Sequence, residues 1–555
     1  MATFDLNPVQ DRAAPWEGAH LTAAAYRWGI LAATFLGAVL RFSHIARPFN
    51  RLMAWNEGHY AMIALNFDRY GLLSQHNELG LDRTFSPGGP WLMWASMRLF
   101  GPSEAAARLP IVLAGIAAIP LIAAVALRLL RSQQIALTAA SFAAVAPGLV
   151  YFSQNAQLDT LTISCALAAT LFMLRYRDTG HRPDVIWAGT WFAAAAWIKF
   201  TSFLLYPAFL VMWWPVRPRP TLAAGAAAGA FAALTALPSL MWVAAGWTGF
   251  QASSGFTKRF FFRDWDLRGI VKAVSEIPLA IEAHLFIAIF LCLVVGIAAA
   301  TRWRAGFLVI WVWCAPWIVL YVFAPWDSLV NRYYDLPAAY LLTVVAATGL
   351  WMWSTRRERR ADPAIRTMAR DHTIADRPTA GAGISRQWPR ALMIGLGIVV
   401  GLTATYDVWD PMTDRIARAS MAHVPPIDPA PFYSAKIVAA LPRGRTIADT
   451  PQTMFYAGGD PAWIEITGGD VRWKIDAEAF DYVILNDYGH GQEPYYAIDA
   501  ALREQFARHH YVQIAPTAWA HVRTRIADLG GYRDPAIPYW APAGAGRRLG
   551  MTTWE

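Results

Sequence analysis

Apolar runs of roughly 15 to 25 residues, the length that crosses the hydrocarbon core of a bilayer as a helix, recur along this chain. They predict spans near 26–45, 107–128, 134–152, 158–175, 185–199, 200–215, 221–245, 279–300, 305–323, 335–354 and 390–408. That makes about eleven transmembrane helices. Lys199 interrupts an otherwise uncharged stretch, so 185–215 reads either as two spans or as one tilted helix. Charge placement decides between them. With the N-terminus cytoplasmic, the inner returns carry Arg128 and Arg131, then Arg175, Arg177 and Arg182, then Arg217 and Arg219, then Arg302 and Arg304. The segment 354–390 follows, with nine arginines against four carboxylates. Basic residues then mark the inside at every return, as membrane insertion favours. A single helix across Lys199 would invert the later loops and put that arginine-rich segment outside, so two spans are expected.

The intervening polar segments divide by length. Residues 355–388 have no apolar periodicity and carry Gly, Pro and Thr, which predicts a flexible cytoplasmic loop. Three outer segments are long: 46–106, 246–278 and everything from 409 onward. In the last, short apolar runs at Thr446-Ile447-Ala448 and Tyr482-Val483-Ile484-Leu485 alternate with helical stretches near 432–441 and 495–508. This alternation predicts a small extracytoplasmic α/β domain over 409–555, following a membrane domain over 1–408. No glycine-rich phosphate loop accompanies it, and no internal repeat is visible.

Composition agrees with lipid as the solvent. Of 555 residues, 56% are apolar and only 16% charged, and 27 are Trp. The first 25 residues mix acids with bases and end in no cleavage-like site, so the first span is expected to stay as an anchor. Cys165, Cys292 and Cys314 all lie inside apolar runs and read as small buried hydrophobes, with no disulfide or zinc spacing. Nothing in the charge pattern asks for a nucleic-acid partner.

Candidate chemistry gathers in the outer segments. The first opens with Trp55-Asn56-Glu57-Gly58-His59-Tyr60-Ala61. Glu57, Ala61 and Ala64 share one helical face and Tyr60, Ile63 and Phe67 another, predicting a helix along the membrane surface that presents an acid to membrane-borne and water-borne substrates alike. The plainer reading of Glu57 is a first-turn acid on a helix dipole. Asp159 stands where one span turns into the next; its plainer reading is a helix-end acid facing water. Lys199 and Arg332, the latter in Asn331-Arg332-Tyr333-Tyr334-Asp335, sit at outer boundaries at the depth of a lipid phosphate. A guanidinium fork or an ammonium suits that anion, although cations there also snorkel to ordinary head groups. Arg83, Lys258 and Arg259 are further outer cations that also fit a solvated face. His59 and His284 lack the spacing of a helical metal site, so no cofactor is called for, while a divalent metal stays open.

At these residues the chain resembles the GT-C superfamily of polyprenyl-phosphate-sugar glycosyltransferases, near the protein O-mannosyltransferases and the lipid A aminoarabinose transferases. Asn56-Glu57-Gly58-His59-Tyr60-Ala61 is similar to the family's Asp-Glu-x-x-Tyr-Ala start of the first outer loop. Ser103-Glu104-Ala105-Ala106-Ala107-Arg108-Leu109-Pro110 resembles its entry to the second span, Leu158-Asp159 its second outer acid, and Arg332-Tyr333-Tyr334 with Leu336-Pro337 its late tyrosine-proline segment. The likeness covers roughly 26–354. It implies a GT-C fold, a polyprenyl-phosphate-linked sugar donor, an acceptor that is lipid, glycan or protein, and a site at the outer face of a bacterial inner membrane. It also implies Glu57 and Asp159 as catalytic acids, with Arg332, Lys199, Arg83, Tyr333 and Tyr334 around the carrier phosphate and Asn56, His59 and Tyr60 toward the acceptor. Two departures stand out. The family's leading Asp is Asn56, which cannot take a proton, and its lysine-proline-proline segment reads Ser86-Pro87-Gly88-Gly89-Pro90.

One carboxylate base suffices for this chemistry, because the phosphate leaves without being protonated and needs only cations to offset its growing charge; Glu57 is the expected base, with Asp159 supporting the acceptor or the base. A lipid-saccharide transporter would instead place polar residues at mid-membrane and show inverted repeats. A binding protein descended from the enzyme is the third reading, which Asn56 favours.

Overall fold

The computed structural model describes residues 21–47, 49, 54–77, 80–81, 86–205, 287–300, 304–323 and 336–361. It also describes scattered positions from 209 to 285 and segments of 430–456, 463–465, 480–485, 500–521, 531–533 and 540–542. These fall into two compact units. The first comprises 1–45, 84–89 and 110–420, the second 46–83, 90–109 and 421–555. The second therefore joins most of the first outer segment to the C-terminal part.

The first unit is helical. Helix α1 (Ala23–Phe42) is N-capped by Thr22, whose hydroxyl accepts from the Ala25 amide at 3.1 Å. Trp28, Leu31, Phe35, Val39 and Phe42 stand exposed at i, i+3 and i+4 spacing, while Ala33, Gly37 and Arg41 are buried. An exposed apolar stripe opposite a small-residue face is how a helix meets lipid on one side and protein on the other. In chain order there follow α2 (Ala54–Tyr70), the short strands β1 (His76–Asn77) and β2 (Gly80–Leu81) and most of α3 (Gly88–Phe100), all of the second unit, and then α4 (Glu104–Leu130), which enters the first unit at Pro110. Then come α5 (Gln133–Val145), α6 (Pro147–Ser153), α7 (Leu158–Thr179) and α8 (Arg182–Ile198). Beyond the scattered positions lie α9 (Ile287–Ala300), α10 (Arg304–Phe323) and α11 (Leu336–Ala361). Four of these helices are long and apolar enough to span a bilayer, or five if α5 and α6 form one broken span, as befits a multi-pass membrane protein.

Two differences from expectation, and one agreement with it, have local causes. The span expected over 134–152 bends by 58° between α5 and α6. Pro147 has no N–H to give the Ala143 carbonyl, and buried Arg41 supplies the missing donors, reaching the Ala143 oxygen at 3.0 Å and the Ala144 oxygen at 3.1 Å. Near Lys199 the chain does break, with α8 ending at Ile198, Lys199 extended, and a 3-10 turn over Phe200–Leu205. Helix α11 runs on to Ala361, past the expected start of a loop at 355, through the helix-forming Arg356-Arg357-Glu358-Arg359-Arg360. The spans expected near 221–245 and 390–408 lie largely or wholly outside the described residues. Helices α9 and α11 pack closely enough that a Cβ on Gly349 would lie 1.9 Å from the Cys292 carbonyl oxygen, so this crossing requires glycine.

The second unit is α/β. Helix α12 (Ala430–Ala439) precedes β3 (Thr446–Ala448), α13 (Pro451–Tyr456), β4 (Trp463–Glu465), β5 (Tyr482–Ile484), α14 (Ala500–Arg508), β6 (Tyr511–Ala515) and β7 (Ala518–His521). A separate two-stranded ribbon pairs β8 (Gly531–Arg533) with β9 (Trp540–Pro542). The sheet order is β4-β3-β5-β7-β6, with β3 parallel to both β4 and β5, and β7 antiparallel to its neighbours. Both apolar runs read as strands, 446–448 and 482–485, are its central strands. Its core takes in Ile437, Val438, Met454, Ile484 and Ala520 together with Met62 of α2.

That last contact corrects the expectation for α2. A surface helix would keep one face wet, yet Glu57, Ala61 and Ala64 on one face and Ile63 and Phe67 on the other are all buried. Packing of α2 against α13 and the sheet core covers the side that would have met water.

Candidate active site

Two acids singled out in the sequence acquire cationic partners, one in each unit. In the second unit Glu57 lies in the first turn of α2 and is wholly buried. Arg108, from the first turns of α4, grips it with both ends of the fork: Nε donates to Oε1 at 2.7 Å and a terminal nitrogen donates to Oε2 at 3.0 Å. The other terminal nitrogen donates to the Arg47 carbonyl, and the guanidinium lies 4.9 Å from the centre of the Phe49 ring.

The network continues into the C-terminal part. The Phe49 amide donates to the Tyr456 hydroxyl at 2.9 Å, and that hydroxyl donates to Glu104 at 2.9 Å. Burial first, and then the neighbouring Glu104 carboxylate, hold the Tyr456 phenol well above the usual tyrosine range. It is protonated at any working pH and remains a donor. Beside Glu57, His59 is nearly buried and its ring meets that of Tyr60 edge-on at 5.4 Å, while Asn56 is half-buried.

In the first unit Asp159 opens α7, and Lys199 ends α8. The Lys199 ammonium donates to the Asp159 carboxylate at 2.7 Å, with side chains 17% and 8% exposed. Around them lie polar side chains of another character. Asn155 Nδ2, Gln157 Nε2, Thr160 Oγ1 and Ser202 Oγ are all buried, with no hydrogen-bond partner among the described residues. Each such group costs about 1 to 3 kcal/mol when left unpaired, so their clustering within six residues of one acid and three of one lysine marks a place built to meet something polar.

The Ser86-Pro87-Gly88-Gly89-Pro90 segment packs here too. Ser86 donates to the Ala196 carbonyl at 3.1 Å, three residues before Lys199. A Cβ on Gly88 would stand 2.7 Å from the Trp197 carbonyl oxygen, and one on Gly89 would stand 2.2 Å from Leu158 Cδ2. The two glycines thus let the segment lie directly against the residues that flank Lys199 and Asp159. Sequence reasoning noted the substitution without its reason.

Glu57 and Asp159 fall in different units. Arg332, Tyr333, Tyr334, Arg83, His284, Lys258 and Arg259 lie outside the described residues. Among the described residues no three His, Cys, Asp or Glu side chains gather as they would around a metal. Three participants escaped the sequence reading as functional groups: Arg108, quoted only as part of a motif, Tyr456, and the Asn155-Ala156-Gln157 segment. The signal for the last was present, since two uncharged polar residues between two apolar helices are costly unless used.

Helical spans joined to an α/β unit, with an acid and an ammonium paired where α7 begins and α8 ends, define a multi-pass membrane protein. Residues 84–242 match the family of dolichyl-phosphate-mannose-protein mannosyltransferases. The fold is similar to that of ArnT from Cupriavidus metallidurans, at 15% identity and a TM-score of 0.51, over 78% of this chain and 85% of that one. It is also similar to the archaeal oligosaccharyltransferase AglB from Archaeoglobus fulgidus, at 12% identity and a TM-score of 0.52, over 83% of this chain and 69% of that one. Among curated proteins no sequence match is found. The chain has the GT-C type of fold that its motifs resemble.

Proposed function

We propose that this chain is an inverting glycosyltransferase that moves one hexose or pentose from a polyprenyl phosphate to an acceptor at the extracytoplasmic face of a bacterial plasma membrane. The observation that carries this reading is the Asp159–Lys199 pair, set among buried polar groups that lack partners among the described residues and bounded by the Ser86–Gly89 segment. On binding, the donor's phosphate draws the Lys199 ammonium toward itself and releases an Asp159 oxygen. The acceptor hydroxyl then attacks the anomeric carbon. Its new C–O bond forms as the bond from that carbon to the phosphate oxygen breaks. The proton goes to Asp159, and the electron pair leaves with the polyprenyl phosphate, whose charge Lys199 offsets. In this reading the free amides of Asn155 and Gln157 bind sugar hydroxyls.

Proton transfer is assigned to Asp159 in preference to Glu57. Both Glu57 oxygens are held by Arg108 in a fully buried pair, so its role is to fix the first outer segment. Asn56, Arg332, Tyr333, Tyr334 and Arg83 remain assigned toward the acceptor and carrier phosphate by the resemblance alone. The description of the matched family and the two similar folds support the donor class, and the sugar and acceptor are the finer part of the proposal.

The test supplies the purified chain with polyprenyl-phosphate mannose and with polyprenyl-phosphate aminoarabinose. Envelope lipid, glycan and peptide fractions serve as acceptors, and labelled product together with freed polyprenyl phosphate is measured. Absence of both from every combination, with a parent protein that binds the donor, would instead favour a binding protein of the same fold, the reading that Asn56 supports.

A further inference from the structure

A cavity of about 910 Å³ opens in the first unit where α4 and α7 end and α8 begins. It lies at the opposite end of α7 from Asp159, and the transferase reading does not use it. Ala124, Leu127 and Leu171 form an apolar wall, and Arg128, Arg131, Arg175, Asp178, His181 and Asp184 form a charged rim.

The rim is unbalanced. Arg128 pairs with Asp178 at 2.9 Å, and the adjacent Arg177 shares that same carboxylate at 2.9 Å. Arg175 pairs with the buried Asp184 at 3.3 Å, which also faces His181 at 3.9 Å. Four guanidiniums thus meet two carboxylates, and Arg131 has no ion-pair partner among the described residues. Arg131 is also exposed and sits at φ 51°, a left-handed conformation that side chains other than glycine rarely take. Its amide closes α4 on the Leu127 carbonyl at 2.8 Å, and Ser132 caps α5 directly after it. The chain therefore holds an arginine with no ion-pair partner among the described residues at a position where glycine would be the ordinary choice.

We infer that this cavity binds the phosphate of an anionic phospholipid of the leaflet that meets the arginine-rich helix ends. Arg131 takes the phosphate, and an acyl chain follows the Ala124, Leu127 and Leu171 wall along the spanning helices. The tendency of arginines to collect on the inner side explains cations at these helix ends, but a lined cavity of head-group size with an apolar exit is a feature beyond that tendency. The apolar wall favours a lipid phosphate over a free one.

Native mass spectrometry of the full chain in a mild detergent tests this. The probes are phosphatidylglycerol, phosphatidylcholine with the same acyl chains, and inorganic phosphate. Phosphatidylglycerol is expected to bind saturably and about tenfold more tightly than phosphatidylcholine, with no displacement by inorganic phosphate. Arg131→Gln is expected to weaken phosphatidylglycerol about tenfold, and Arg131→Lys by less. Arg131→Gly relieves the backbone, so it is expected to keep or raise thermal stability while losing the same affinity. Arg98→Gln, which removes an exposed cation from the other unit, is expected to change nothing. Unchanged phosphatidylglycerol binding in both Arg131→Gln and Arg131→Gly overturns the site. Equal binding of the two lipids, or displacement by inorganic phosphate, overturns the lipid assignment. No outcome depends on sugar transfer, so this inference and the transferase reading fail separately.

Discussion

The same chemical couple, a carboxylate and a cation, is built twice in this molecule to opposite effect. At Glu57 and Arg108 almost everything is paired: a bidentate fork, a backbone carbonyl for the third nitrogen and an aromatic face above it. At Asp159 and Lys199 a 2.7 Å contact joins two side chains beside four polar atoms that have no hydrogen-bond partner among the described residues. A fully satisfied buried pair has nothing left to offer a substrate, and breaking it leaves a stranded charge. A pair surrounded by polar atoms that have no partner among the described residues sits where a polar substrate can be received. The comparison teaches that an acid's motif position is a weaker guide to its role than the state of the hydrogen bonds around it.

The sharpest way to break the contrast is to neutralise each acid. Asp159→Asn keeps the shape and is expected to lower sugar transfer by about a hundred- to ten-thousandfold, with the unfolding temperature near that of the parent. Glu57→Gln is expected to lower it far less than Asp159→Asn, and to reduce stability. The reverse ranking would return the base to Glu57.

Removing the cation instead sharpens the structural half. Arg108→Leu strands Glu57 without a partner and is expected to cost about 3 to 5 kcal/mol, read as early unfolding of the second unit in a denaturant melt. Glu57→Leu combined with Arg108→Leu is expected to recover most of that loss, because replacing both ions by apolar groups can be close to neutral. If the double variant is as unstable as Arg108→Leu, the pair is not acting as a closed ionic unit.

The next test concerns the packing that bounds Asp159 and Lys199. Gly88→Ala pushes a methyl group toward the Trp197 carbonyl, whose backbone cannot rotate away as a side chain can. The expected strain is about 1 to 3 kcal/mol. Because the displaced residues adjoin Lys199, the change is expected to raise KM for the donor more than it lowers kcat. An effect on kcat alone would detach this segment from carrier binding.

How much of this was legible beforehand depends on the range of the interactions. Spans at 26–45, 107–128 and 158–175 appear as α1, α4 and α7 with ends shifted by a few residues, since hydropathy over one helical length is a local property. The break at Lys199 was legible from charge alone. The bend before Pro147 was hidden by the unbroken apolar run, and its repair by Arg41 joins residues about a hundred positions apart. Glu57 and Asp159 were legible as candidates because acids stand out in apolar surroundings. Their partners lie 51 and 40 positions away, and no local pattern announces them. The burial of α2 was the least legible of all, for its cover includes α13 and sheet residues beyond residue 430.

Tyr456 gives the smallest and most specific test of that cover. Its hydroxyl accepts from the Phe49 amide and donates to Glu104, so Tyr456→Phe deletes two hydrogen bonds and leaves Glu104 and a backbone amide short of a partner. A loss of about 1 to 2 kcal/mol is expected at neutral pH. The pH dependence carries a sign. A phenol whose proton is held more tightly in the folded state than in the unfolded one contributes its full stabilisation below the unfolded pKa of about 10. Above that pH the unfolded chain ionises first and stability falls as pH rises. Tyr456→Phe is therefore expected to flatten the alkaline limb of an unfolding curve followed from neutral pH upward, as well as lowering its plateau. Tyr482, also raised by burial and then by Asp481, would leave a weaker residual slope. If the alkaline limb keeps its full steepness without the Tyr456 hydroxyl, the link from the C-terminal part to Phe49 and Glu104 is not closed in the working protein.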